Sequence, residues 1–273
     1  MSDVLKKDTA AFNPFPDEIS NLADLLFPDS RPQAVLLALP ETAAQTEQLL
    51  QDWLHPEEIR RLNSFSLEKR QREWLGGRIC AKQSLHLYLR QHDKNSPLPL
   101  PQQYSVTSEE SGRPHLKIAQ KLCCDTPEIS ISHSKNYATA LCAGNPCGID
   151  IQYPAGNLNK VKERFATDEE ERTLKQSLDR HPPLDQLVML WAAKEAVKKM
   201  LSPYGMPGFH ELVLTAIHCQ DNNTAILYLT QQNITAKRGY SVVVGLLDNG
   251  YSMALCCYTT PITGSSQSQN HHP

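Results

Sequence analysis

The sequence lacks the features that would place the protein in a membrane or on nucleic acid. Its 273 residues carry 27 basic and 30 acidic side chains, a net charge of −3, so they offer no general basic field for either surface. No apolar run approaches the roughly 20 residues that span a bilayer. Residues 1–12 are polar and charged, without the apolar centre of a secretory signal. We therefore expect a cytoplasmic protein with no membrane or nucleic-acid partner.

The sequence also has no Cys-x-x-Cys spacing. Its eight cysteines are scattered, with vicinal pairs at Cys123-Cys124 and Cys256-Cys257. A disulfide scaffold or a zinc site would space them differently, so we expect reduced and mostly buried thiols. A hydrophobic content of 40% and a charged content of 21% are typical of soluble globular proteins.

The order of periodicities predicts an α+β protein. A long helix is expected from about Leu67 to Gln91, followed by strands of period two up to Gln152. Helices are then expected between 157 and 201 and strands between 211 and 258, with a hairpin turn at Asp248-Asn249-Gly250. The prolines of residues 1–32 indicate an irregular lead-in, and the polar residues 263–273 indicate a disordered tail.

One internal echo indicates a duplication. Tyr137-Ala-Thr-Ala-Leu-Cys-Ala is similar to Tyr251-Ser-Met-Ala-Leu-Cys-Cys, and an Ala-Lys pair ending at Lys82 or Lys194 lies in the long helix upstream of each. Chance likeness of short apolar strands is the alternative. A duplication predicts a pseudo-two-fold pair of similar α/β subdomains, each a long helix packed on a small, mainly antiparallel sheet. The N-terminal half would span 33–145 and the C-terminal half 146–262.

Two acidic residues stand in apolar surroundings. At 100° per residue, Glu195 shares an arc with Val188 and Trp191, where a carboxylate is costly unless it is paired or bound to a metal. The alternative is a helix rim or an ion pair with Lys199 one turn on. Asp150 lies in the apolar strand Cys147-Gly-Ile-Asp-Ile-Gln152, where Gly148 would leave room for a ligand. Its alternative is a solvated edge strand.

Together the two segments resemble a known signature. Gly-Ile-Asp, followed about 45 residues later by Trp-Ala-Ala-Lys-Glu-Ala-Val-Lys-Lys at 191–199, is similar to the two-part motif of phosphopantetheinyl transferases. Residues 111–114, 131–134 and 164–170 extend the resemblance, and the length and the internal echo resemble the Sfp-type branch.

The resemblance implies a reaction. An enzyme of the holo-[acyl-carrier-protein] synthase type would transfer the 4'-phosphopantetheine of coenzyme A to a serine of an apo acyl or peptidyl carrier protein and release 3',5'-ADP. We expect a monomer with one metal site at the interface of the halves. The alternatives are a non-catalytic homologue that binds coenzyme A or the carrier and, ranked below it, a metal-dependent nuclease.

The resemblance also assigns roles to residues. Asp150 and Glu195 would hold Mg²⁺, with Mn²⁺ as a second possibility and Gln152 as a neutral third ligand where many members have an acid. Lys194 and Lys199 would neutralise phosphate charge.

Further residues complete the expected site. Glu170 matches the general base for the carrier serine, although Thr167-x-x-Glu170 is also a capping box. The resemblance implies that coenzyme A is contacted by Ser132 and His133, which follow a predicted strand. It is also expected to be contacted by three arginines, Arg72, Arg78 and Arg113.

Overall fold

The computed structural model describes residues 12–13, 15–232, 238–247 and 250–259, apart from the side chains of residues 43 and 44. The helices within these residues are α1 (Asp17–Leu26), α2 (Ala43–Trp53), α3 (Pro56–Asn63), α4 (Glu68–His92), α5 (Leu158–Val161), α6 (Asp168–Ser177) and α7 (Pro183–Leu201). The strands are β1 (Phe12–Asn13), β2 (Gln33–Ala38), β3 (Ser105–Ser108), β4 (Pro114–Lys117), β5 (Glu128–Ser134), β6 (Tyr137–Ala143), β7 (Cys147–Gln152), β8 (Leu212–Cys219), β9 (Thr224–Gln231), β10 (Arg238–Leu246) and β11 (Ser252–Cys257).

The strands form three antiparallel sheets. Their orders are β1-β2-β6-β5, β7-β11-β10-β9-β8 and β3-β4. The long helix α4 packs on β2, β6 and β5, and α7 packs on β7, β11 and β10. The α+β class with a long helix on each larger antiparallel sheet is therefore confirmed.

The echoed segments occupy matching places in the two sheets. β6 lies between β2 and β5 beneath α4, and β11 lies between β7 and β10 beneath α7. Tyr137 begins one segment and Tyr251 immediately precedes the other, and their rings meet edge to face at 5.0 Å. The matched topology favours duplication over chance likeness as the origin of the echo.

Side chains join the two larger sheets where their edge strands β5 and β7 face each other. Three serines of β5, spaced by two residues, accept hydrogen bonds from three alternate backbone N–H groups of β7 and the residue after it. We call these serines the serine ladder: Ser130 accepts from Ile149, Ser132 from Ile151 and Ser134 from Tyr153. A strand alternates its side chains, so all three serines face β7.

The prediction of an irregular lead-in over residues 1–32 is wrong for Asp17–Leu26, which form helix α1. Helix α1 buries Ile19, Leu22 and Ala23 and packs against β10, where Gly245 leaves space for Ile19. The spacing i, i+3, i+4 is a helical apolar stripe that the surrounding prolines conceal. The other parts of that expectation, residues 1–11 and the tail 263–273, lie outside the described residues, as do Asp248 and Asn249 of the expected hairpin turn.

All eight cysteines are free, and five of them are buried, as expected. Within the described ranges, no helix combines the length and the apolarity needed to cross a bilayer.

Candidate active site between the two halves

Asp150 lies in the middle of β7 and is nearly buried, with 8% of its side chain exposed. Its Oδ1 accepts hydrogen bonds from Ser132 Oγ and from Lys199 Nζ, both at 2.7 Å. Its Oδ2 is buried and has no hydrogen-bond partner among the described residues. Because buried carboxylate oxygens are almost always satisfied in folded proteins, this open oxygen is available to bind a cation or a water molecule.

The surroundings of Asp150 oppose its negative charge. Burial raises the pKa of the Asp150 carboxyl, and the nearby Glu195 carboxylate raises it further. The Lys199 ammonium and the hydrogen bonds from Lys199 and Ser132 lower that pKa but do not cancel the effect of burial. A bound cation would supply the missing positive charge.

Lys199 reaches Asp150 because α7 packs directly on β7. A Cβ atom on Gly148 would lie 1.8 Å from the Ala196 carbonyl oxygen, so only glycine permits this approach. The prediction that Gly148 leaves room for a ligand is therefore wrong, since the helix backbone fills that room. From the last turn of α7, Lys199 Nζ donates to the Ile149 carbonyl oxygen at 3.0 Å as well as to Asp150.

Glu195 lies at the rim of α7 and not in the middle of an apolar stripe. Its side chain is half-buried, as are Leu184 and Trp191 of the same arc. The helix is buried around most of its circumference, so the arc that looked central in the sequence is its most accessible side. Glu195 Oε1 accepts a hydrogen bond from Lys198 Nζ at 2.9 Å, and the i,i+4 pair with Lys199 is not formed.

Asp150 and Glu195 are suited to an open magnesium site and not to a metal site built entirely from protein side chains. Among the described residues, no cluster of three or more His, Cys, Asp or Glu side chains could hold a metal. Mg²⁺ is commonly held by one or two carboxylates, together with water and substrate phosphates, so Asp150 and Glu195 fit it. Gln152 is half-buried on the same face of β7 as Asp150, and its Nε2 donates to the Tyr153 carbonyl oxygen at 3.3 Å. Its role as a third ligand stays a prediction.

Lys194 and Glu170 lie in the core and not at this site. They form a buried ion pair at 2.7 Å, and Lys194 Nζ also donates to the Phe165 and Phe209 carbonyl oxygens. Burial lowers the pKa of the Lys194 ammonium, and Glu170 opposes that effect. Because Lys194 is completely buried, the expectation that it neutralises phosphate is corrected.

Both carboxylate oxygens of Glu170 are already used. Oε2 accepts from the Thr167 backbone in the capping box, and Oε1 accepts from Lys194 and from the Leu214 backbone. A side chain that is 1% exposed and so engaged is poorly placed to take a proton from a carrier serine. The structure shows the capping role of Glu170, and its role as the general base stays a prediction.

The N-terminal half contains the same buried pair. Lys82 Nζ lies 2.5 Å from Glu58 Oε2, and Glu58 caps α3 through the His55 backbone while its Oε1 accepts from the Val106 backbone. Gln83 follows Lys82 where Glu195 follows Lys194, so this half carries the pair without the second acidic residue. Because the buried lysine–glutamate pair is present in both halves and the second acidic residue in only one, the pair has a structural role in each half.

A cavity of about 730 Å³ opens between α4, the β3–β4 hairpin, β5 and the end of α7. Its volume is that of a site for a cofactor-sized molecule. Six of its lining residues carry basic side chains: Arg61, Arg70, Arg78, Arg113, His133 and Lys199. Lys199 connects the cavity to Asp150, because it lines the cavity wall and binds the carboxylate.

Two of the expected arginines line this cavity and one does not. Arg78 donates to Ser108 Oγ at 3.2 Å and covers the Trp74 ring, and burial lowers the pKa of its guanidinium to about 10. Arg113 is ion-paired with Glu128 at the cavity wall. Arg72 instead donates to the Pro40 carbonyl oxygen away from the cavity, which corrects its expected role.

The helical period explains the error and identifies a missed residue. Arg70, Trp74 and Arg78 are spaced by four residues and share one face of α4, whereas Arg72 lies about 200° around the helix from Arg70. Arg70 extends from that face to within 3.5 Å of His133 Nε2. The i,i+4 spacing was visible in the sequence; the cavity that it faces was not.

The two neighbours Ser132 and His133 face opposite sides of β5. His133 lines the cavity, and its Nδ1 lies 3.7 Å from Glu73 Oε2. Burial, together with Arg70 and Lys199, lowers the pKa of His133, and Glu73 opposes this. The Ser132 hydroxyl is buried against Asp150 and Ile151, so its expected contact with the cofactor phosphates is corrected.

The comparison with protein families agrees with this geometry. Residues 146–256 match the model of the 4'-phosphopantetheinyl transferase superfamily. That range contains β7 with Asp150 and α7 with Glu195 and Lys199. No curated protein matches the chain. Residues 146–256, which make up less than half of the chain, are therefore similar to the 4'-phosphopantetheinyl transferase superfamily.

Proposed function

We propose that this protein is an Sfp-type transferase that moves the 4'-phosphopantetheine of coenzyme A to a serine of an apo acyl or peptidyl carrier protein. The open Oδ2 of Asp150, next to a cavity lined by six basic and four acidic side chains, is the observation that carries the proposal. In this reaction the serine hydroxyl gives up its proton to the solvent, and its oxygen bonds to the phosphorus that bears the pantetheine arm. The bond from that phosphorus to the oxygen of 3',5'-ADP breaks, and 3',5'-ADP leaves.

The charge of the cavity suits coenzyme A. The cofactor carries a 3'-phosphate and a pyrophosphate, and guanidinium groups bind such groups with charge-assisted hydrogen bonds. Arg70 and Arg78 supply positive charge from one face of α4, and Lys199 supplies it from the end of α7. At the same wall, the Glu73 Oε2 atom lies 3.7 Å from His133 Nδ1.

Transfer of this kind depends mainly on positioning and charge neutralisation. Mg²⁺ held by Asp150 and Glu195 would neutralise charge on the phosphate oxygens of coenzyme A. Lys199 places a second positive charge at the boundary between that pair and the cavity. With Mg²⁺ bound, Lys199 would keep its hydrogen bond to Asp150 and would place its own positive charge near the phosphoryl group that is transferred.

The decisive test is a mass measurement on a carrier protein. Purified protein, Mg²⁺ and coenzyme A are incubated with apo carriers of the fatty-acid and peptide-synthetase types. At least one carrier is expected to gain the mass of one phosphopantetheine group, and omission of Mg²⁺ should prevent the gain. Coenzyme A binding without modification of any carrier would overturn the proposal in favour of a binding module.

Binding of coenzyme A should depend on Arg70 and not on Arg72. Arg70→Ala is expected to weaken coenzyme A binding about tenfold, because a hydrogen bond to a charged group contributes about 1.5–3 kcal/mol. Arg72→Ala, from the same helix, should change the affinity less than about twofold. Isothermal titration with coenzyme A measures both. An equal loss in the two variants would show that the cavity is not the cofactor site.

A further inference from the structure

One member of the serine ladder does more than join the two sheets. Each of its three serines accepts one backbone N–H from the β7 segment, at 3.0–3.3 Å. Ser132 alone among them also donates its hydroxyl hydrogen to Asp150 Oδ1, at 2.7 Å. The ladder therefore contains one residue in contact with the candidate metal ligand. Ser134 has only the joining role, and Ser130 has that role and also lines the cavity.

The partners of Ser132 fix the direction of its hydroxyl group. Its oxygen accepts from the Ile151 backbone, and its hydrogen points to Asp150, the residue immediately before Ile151 in β7. The side chain is buried, so water does not compete for these positions. A hydroxyl with an occupied acceptor side and one donor hydrogen has a single low-energy orientation here.

This orientation determines where the open oxygen of Asp150 lies. Ser132 and Lys199 both donate to Oδ1, so together they hold the carboxylate plane with its second oxygen directed away from both donors. Of the two donors, Lys199 has 26% of its side chain exposed and a long flexible stem, whereas Ser132 is short and buried. Ser132 is therefore the rigid restraint, and it leaves Oδ2 free to meet a ligand.

We propose that Ser132 is a positioning residue that holds the Asp150 carboxylate with Oδ2 presented to a divalent cation. The inference rests on the proposed function, in which Asp150 holds that cation. It assigns Ser132 to the metal side of the site and not to the phosphates of coenzyme A. A hydrogen bond of this kind to a metal-binding side chain commonly contributes 10- to 100-fold to metal affinity.

The test compares the members of the ladder. Mn²⁺ is titrated into Ser132→Ala, Ser130→Ala and Ser134→Ala in the presence of coenzyme A, and free Mn²⁺ is measured by electron paramagnetic resonance. Ser132→Ala is expected to bind Mn²⁺ about 10- to 100-fold more weakly, and the control Ser134→Ala within about twofold of the wild type. Ser130→Ala shows how much a change at the cavity wall contributes by itself. Thermal unfolding should show similar losses of stability, because each variant removes one acceptor of the same joint.

Two further readouts keep the outcomes separate. Ser132→Cys keeps the side-chain shape with a weaker donor, so its Mn²⁺ affinity should lie between those of the wild type and Ser132→Ala. Equal Mn²⁺ affinity in all three alanine variants would overturn the positioning role while leaving the proposed function intact. Wild-type protein that binds no Mn²⁺ with coenzyme A present would overturn both.

Discussion

Asp150→Asn is expected to reduce phosphopantetheine transfer by about 10³-fold without lowering the stability of the protein. A metal ion contributes several kcal/mol of charge stabilisation to phosphoryl transfer, and each 1.36 kcal/mol corresponds to a factor of ten. Asparagine keeps the shape of the side chain and an oxygen that accepts from Ser132, but it has no charge to hold the cation. Single-turnover transfer to the carrier that the wild type modifies measures the loss.

The difference in stability between Asp150→Asn and the wild type depends on pH. Burial raises the pKa of Asp150 in the folded state above its ordinary value of 3.8, so the folded protein binds this proton more tightly than the unfolded chain. The contribution of Asp150 to stability is therefore lost as the pH rises from 3.8 through the raised pKa. The asparagine side chain does not titrate, and without divalent cation the variant should gain unfolding temperature relative to the wild type as the pH rises from 3.8 through the raised pKa.

A matched control separates this effect from a general loss of carboxylates. Glu171→Gln breaks a partly exposed ion pair with Lys162 and should keep full transfer activity with little change in stability. Lower stability of Asp150→Asn at pH 7 would mean that the ion pair with Lys199 outweighs the burial of the carboxylate. Asp150 would then be retained for the fold, contrary to the proposed role.

The sequence predicted the main helices and strands, but it did not predict which side of each helix or strand faces the cavity. It predicted the α+β class, the long helices and the matched segments that begin at Tyr137 and Tyr251, because periodicity and repetition are local properties. Helix α1 escaped detection because its stripe is short and lies among prolines. The catalytic pattern also named Asp150 and Lys199, which the structure brings to 2.7 Å.

The errors at the site share one physical cause. Lys194 and Glu195 are adjacent, hence about 100° apart on a helix, and only Glu195 lies at the accessible rim. Ser132 and His133 are adjacent on a strand and therefore face opposite sides. A motif names neighbouring residues together, whereas the fold sends them to different surroundings. Which one reaches the cavity depends on tertiary packing that one sequence does not contain.

Glu170→Gln and Glu58→Gln are expected to lower the free energy of unfolding by similar amounts, about 3–5 kcal/mol each. Each change removes the charge that balances a completely buried lysine, Lys194 or Lys82, and breaking a buried ion pair has a cost of this size. Glutamine can keep one oxygen for the capping hydrogen bond, but its amide NH2 then faces the Leu214 or Val106 N–H, so the lost charge and one lost acceptor both contribute in each variant. Urea unfolding at 25 °C measures both variants.

The same pair of variants decides whether Glu170 takes the proton of the carrier serine. The structural role predicts that folded Glu170→Gln, assayed at low temperature, keeps transfer within about threefold of the wild type, as Glu58→Gln does. A general base contributes about 10²–10⁴-fold, so that role predicts a loss of this size in Glu170→Gln alone. Because the two glutamates occupy equivalent positions of the repeat, Glu58→Gln corrects for destabilisation common to both. A large loss of transfer confined to Glu170→Gln would show that Glu170 is the general base. Its carboxylate would then act as a base although it is held by the ion pair with Lys194 and by the capping box.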